Sequence, residues 1–129
     1  MKLVNLAYES AKKDLEINWK EIPGGASNPL IMECYSAVDG LGNPEMLDDS
    51  KIAWCSAYVN KKIQSHGGKG TRSASARSWL RWGKSCKPTI GCITVLKRGT
   101  QAWQGHVGFL HKFDDTYVWI LGGNQSNNV

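Results

Sequence analysis

The chain has 129 residues, of which 41% are hydrophobic and 21% charged, with a net charge of +5. A chain of this length makes one domain and buries roughly two thirds of its unfolded surface, so neither a disulfide nor a metal is required for folding. No apolar stretch approaches the length of a membrane span and no low-complexity tract is present, which excludes membrane-spanning helices and a disordered polymer.

The elements read as follows, in chain order. Val4, Ala7, Tyr8, Ala11 and Leu15 recur at spacings of three and four, which predicts an amphipathic helix over Val4 to Leu15. Pro23, Gly24 and Gly25 make a loop. Asn28-Pro29 is a helix start, because Asn caps and Pro fits the first turn, and this second helix is expected to run to Val38. Gly40 to Pro44 ends it. After the polar Asp48-Asp49-Ser50, a third helix is predicted over Trp54 to Gln64, stopped by Gly67-Gly68. A short helix over Ala74 to Trp82 stops at Gly83. From Pro88 the texture changes to strands: Cys92 to Leu96, His106 to Leu110 and Tyr117 to Leu121, with a turn at Asp114-Asp115. Helices first and an antiparallel sheet second predict an α+β fold, with one domain over residues 1–129.

Charge and cysteine usage narrow the setting. A basic surface favours polyanionic partners, either nucleic acid or the anionic polymers and lipid head groups of a bacterial envelope. The segment Met1 to Glu16 lacks an apolar run of signal length and is interrupted by Glu9, Lys12, Lys13 and Asp14, so synthesis in the cytoplasm without a signal peptide is expected. The four cysteines (Cys34, Cys55, Cys86 and Cys92) form no CxxC pair, and no histidine stands at zinc-ligand spacing from two of them. No metal or other cofactor is expected. A Cys86–Cys92 disulfide is conceivable, although cytoplasmic synthesis favours free thiols.

Among these thiols, Cys55 is the candidate nucleophile. A thiol gains nucleophilicity when its thiolate is stabilised, and the N-terminal end of a helix does that. Cys55 falls in the first turn of the third predicted helix. Cys34 falls mid-helix among Ile31, Met32 and Tyr35, where a buried inert thiol is expected; Cys86 lies in a lysine-flanked loop and Cys92 in a strand. Of the three histidines, His66 belongs to a helix-end loop and His111 to the apolar alternation of its strand. His106 opens a strand after Gly105 and is the best-placed base. Gly108, on the same strand face, would leave room for the nucleophile's helix. A third group on the next strand could hold the imidazole tautomer, and Asn124 or Gln125 after Gly122-Gly123 is available for it.

Four segments occur in order: DSKIAWCSAYVN (Asp49 to Asn60), ARSWL (Ala76 to Leu80), GHVGF (Gly105 to Phe109) and LGGNQ (Leu121 to Gln125). Together they resemble the NlpC-like and CHAP group of cysteine peptidases and amidases. More closely, they resemble a small phage and bacterial branch of that group with the pattern WCxxFVN, ARSWL, GHVGF and GGNQ, which Asn28-Pro29 ahead of a helix also fits. The likeness extends over nearly the whole chain. It implies a papain-like α+β fold, Cys55 as nucleophile, His106 as base, and Asn124 as the orienting residue, with Gln125 as the other possibility. Trp54 is expected beside the nucleophile, as packing or as a groove wall that touches substrate.

The implied substrate is peptidoglycan, cut at a stem-peptide bond or at the amide joining the peptide to muramic acid, as by a phage endolysin acting at the periplasm or cell wall after release. The basic surface would hold such a hydrolase near anionic envelope polymers, and a monomer with no nucleic-acid partner is expected. An N-acetylmuramoyl-L-alanine amidase and an antibacterial effector toxin fit the same residues. So, less well, does a non-catalytic basic module binding wall or nucleic acid, because the lysines and arginines are dispersed and no nucleic-acid motif is present. Two departures from the family pattern stand out: Cys92 occupies a position where many relatives carry an acid, and the chain ends at Val129, where relatives commonly continue into another strand.

Overall fold

The computed structural model describes residues 2–17, 33–39, 54–84, 86–97 and 105–123. Helices come first and a three-stranded antiparallel sheet of order β1-β2-β3 comes last. The start of the second predicted helix, the Asp48 to Ser50 turn, Asn124 and Gln125 lie outside the described residues.

Helix α1 covers Lys2–Ile17. Its buried stripe is Val4, Ala7, Tyr8 and Ala11, as the spacing predicts. The stripe then continues through Asp14 and leaves Leu15 42% exposed, which corrects the place given to Leu15. The reason lies in the neighbouring helix. The Asp14 carboxylate pairs with the Lys62 ammonium and accepts a hydrogen bond from the Tyr58 hydroxyl at 2.8 Å. A charge this deeply buried is tolerable only with such partners. Residues 33–35 are helical, and Cys34, Tyr35 and Val38 join the same core.

Helix α2 covers Cys55–Ser65 and is the central element, with eight of its residues buried. It ends in a Schellman motif. Gly67 adopts φ +85°, Gly67 N–H donates to the Gln64 carbonyl at 3.1 Å, and Gly68 N–H donates to the Ile63 carbonyl at 3.0 Å. The Gly-Gly stop read from the sequence thus has a specific geometry, since the left-handed position suits glycine.

The short helix predicted over Ala74 to Trp82 is a single 3-10 segment, η1, at Ala76–Arg81, with Ala76 and Trp79 buried. Strands β1 (Ile93–Lys97), β2 (Gly105–Phe113) and β3 (Val118–Leu121) pair as two antiparallel ladders. The Asp114 carboxylate closes the β2–β3 turn by accepting from Thr116 N–H at 2.8 Å and Tyr117 N–H at 2.7 Å. β2 outruns its expected end at Leu110 because a bulge between Leu110 and Lys112 absorbs one residue and pairing resumes to Phe113. Val107, Phe109 and Leu121 meet α1 and α2 in one core with Trp54, Tyr58 and Ile63.

Candidate active site

Cys55 is the first residue of α2 and is 5% exposed. Trp54 occupies the N-cap, and its side chain makes no capping bond. The first-turn amides and the positive end of a helix stabilise a thiolate or an oxyanion.

The residue after the nucleophile candidate anchors a buried polar network. Ser56 Oγ donates to the Ser73 carbonyl at 2.6 Å and accepts from the Trp79 indole N–H at 2.9 Å. One turn on, Asn60 is completely buried. Its Nδ2 donates to the Ser56 carbonyl at 3.0 Å and to Thr71 Oγ1 at 3.2 Å, while its Oδ1 accepts from Arg72 N–H at 2.8 Å. Arg72 is held there at φ 52°, a left-handed conformation uncommon outside glycine. Its guanidinium also grips the Asp39 carboxylate, with Nη2 to Oδ1 at 2.9 Å, and this holds the Asp39 carboxyl below the usual range. Asn60 and Ser56 therefore clip the Cys55 helix to the 71–73 loop. Spacing alone assigns them no role; the available signal is a Ser and an Asn four residues apart on an otherwise apolar helix face.

His106 lies near the start of β2, half-buried, directly across from Leu96 of β1. Helix α2 packs on this strand. Just before His106, the hydrogen at Gly105 Cα leaves the room used by η1: a Cβ built there lies 3.2 Å from Arg77 Cγ and 3.6 Å from Ala76 Cβ. The ARSWL segment thus braces both halves of the candidate site, through Trp79 to Ser56 and through Ala76 and Arg77 to Gly105.

Gly108 shares a strand face with His106, but the room there serves β3 and not the nucleophile's helix. A Cβ at Gly108 would meet Ile120 Cγ2 at 2.4 Å and the Leu121 carbonyl oxygen at 2.8 Å. The glycine at the helix is Gly123, where a Cβ would lie 2.6 Å from the Trp54 ring and 2.8 Å from Tyr58 Cβ. This contact draws the segment that leads into Asn124 against the residue preceding Cys55. Trp54 has 0% exposure and meets Tyr58 edge-on at 6.3 Å between ring centroids, so it is packing and not a groove wall.

The competing residues are engaged elsewhere. Cys34 is fully buried, and burial pushes its thiol up to about 12. Cys86 and Cys92 are free thiols, with Cys86 exposed and Cys92 just ahead of β1. Both line a groove of about 340 Å³ between η1 and the β1 edge, a lining that does not include Cys55 or His106. His66 Nδ1 lies 2.9 Å from the Lys62 carbonyl at the α2 terminus. His111 is exposed beside the bulge, and its Nδ1 is 2.9 Å from the Tyr8 hydroxyl.

No family model matches the chain, and no curated protein or solved structure matches it.

Proposed function

We propose that the chain is a cysteine hydrolase of papain-like fold that cleaves a stem-peptide amide of bacterial peptidoglycan, in the manner of a phage endolysin. The observation that carries this reading is the position of Cys55 as the first residue of a central helix packed on the strand that bears His106. The contact of Gly123 with Trp54 adds support, because it draws the end of β3 to the same helix end. The four motifs add the substrate class.

In the proposed reaction His106 takes the proton of Cys55 Sγ, and the thiolate attacks the amide carbonyl carbon. The oxyanion is stabilised by first-turn N–H groups of α2. Collapse forms a thioester and expels the amine, which receives its proton from His106. Water then gives a proton to His106 and attacks the thioester. Release of the acid returns that proton to Cys55. Asn124, or Gln125, orients the imidazole. The Ser56–Asn60–Trp79 network acts on the helix and not on the substrate.

The test is digestion of isolated sacculi by the wild-type protein and His106→Ala, with mass spectrometry of the released fragments. Cleavage by wild type alone supports the base assignment, and the new termini distinguish a stem-peptide bond from the muramoyl amide. Intact sacculi of several peptidoglycan types after incubation with the wild-type protein would contradict the hydrolase reading.

A further inference from the structure

We infer that Tyr117 and Trp119, with Lys112 beside them, form a platform for the glycan strand of peptidoglycan; the inference rests on the cell-wall reading above and adds a polymer-binding surface to it. Tyr117 is 65% exposed and Trp119 41% exposed, which is unusual for rings of this size. Their centroids are 6.1 Å apart with an interplanar angle of 61°. The Lys112 ammonium stands 4.9 Å from the centroid of the Trp119 ring. These three residues come together by design of the hairpin. Residues 117, 119 and 121 share one face of a strand of period two, and the β2 bulge returns Lys112 to register opposite Trp119.

The chemistry fits a sugar polymer. A pyranose ring offers an apolar C–H face with hydroxyls at its rim, which suits an aromatic ring that is apolar on its face and wet at its edge. Carboxylates carried by muramic acid stem peptides suit the adjacent ammonium, and the chain's net charge of +5 is complementary to anionic wall polymers. A nucleic-acid strand would require a track of cations along the rings; the cation placed there by the structure is Lys112, over the Trp119 ring.

Position links the platform to the candidate active site. Leu121 on the same strand face enters the core, and Gly123 touches Trp54. At about 3.3 Å per residue, Trp119 lies at most roughly 13 Å along the chain from Gly123.

The test uses two readouts. Pelleting with purified sacculi measures binding of the Cys55→Ala protein, with and without Tyr117→Ala and Trp119→Ala. A short sugar-free stem peptide measures cleavage by otherwise wild-type protein carrying the same ring substitutions. Loss of both rings is expected to weaken sacculus binding about tenfold and to leave peptide cleavage within about twofold. Trp119→Phe should retain most of the binding, and Lys112→Ala should lower it about threefold and reduce its salt dependence. Undiminished sacculus binding by the double ring variant overturns the platform, as does failure of the Cys55→Ala protein to bind sacculi at all. A wild-type dimer that the ring variants convert to monomer, with sacculus binding unchanged, overturns it in favour of a contact between copies of the chain. Loss of sacculus binding by the ring variants in a protein whose wild type cleaves no wall peptide leaves the platform standing and removes the hydrolase reading.

Discussion

The start of α2 and the outer end of the β2–β3 hairpin are built from opposite materials. Around the start of α2, Cys55, Ser56 and Asn60 are buried, and the serine and asparagine are tied by short hydrogen bonds to the 71–73 loop and Trp79. At the outer end of β2 and β3, Phe113, Tyr117, Val118 and Trp119 are all more than 40% exposed. Buried polar bonds cost stability when they fail, so they fix geometry; exposed rings cost little to change and are free to meet a partner. In the proposed function the first end holds the reacting group and the second grips the polymer.

Substitutions should separate the ends by size of effect. Asn60→Ala is expected to be the largest, because it removes a fully buried amide, leaves the part-buried Arg72 N–H without its acceptor and cuts the helix from its loop; a loss of about 3 kcal/mol should be seen as a lower denaturant midpoint at unchanged slope. Gly123→Ala should follow, since its methyl would press on the Trp54 ring; about 2 kcal/mol is expected, with a fall in wall cleavage larger than the stability loss explains. Tyr58→Phe takes one of the partners of the buried Asp14 carboxylate and should cost about 1.5 kcal/mol by the same measurement. If Asn60→Ala proves as mild as a ring substitution on β3, the contrast between the two ends collapses.

The smallest effect should come from pH at the exposed Arg72–Asp39 pair. Hydrogen bonding to Arg72 holds the folded Asp39 carboxyl below its ordinary value of 3.8. Its contribution is therefore complete above that value and is lost as pH falls through the lower, folded one. Asp39→Asn should flatten the acid limb of a melting-temperature profile slightly and leave neutral pH almost unchanged, since the pair is solvent-screened.

Much of this was legible in the sequence where the signal is local. The α1 stripe through Ala11, the glycine stop after α2 and the Asp114 turn follow from spacing and turn chemistry. What escaped depends on partners distant in the chain. Asp14 displaces Leu15 from the stripe only because Lys62 and Tyr58 wait on α2. The glycine that admits the helix is Gly123 and not Gly108 because register, which composition does not reveal, puts Ile120 over Gly108. Trp54 is buried against Gly123 and Tyr58. The roles proposed for Cys55 and His106 rest on motif order and element ends; helix α2 and strand β2 pack together.

The account stands most directly on one thiol. We would follow the release of soluble fragments from sacculi by the wild-type protein, Cys55→Ala and Cys34→Ala, each first shown to be folded by its circular dichroism. The account predicts no release by Cys55→Ala and substantial release by Cys34→Ala. Release by folded Cys55→Ala at the wild-type rate would contradict it.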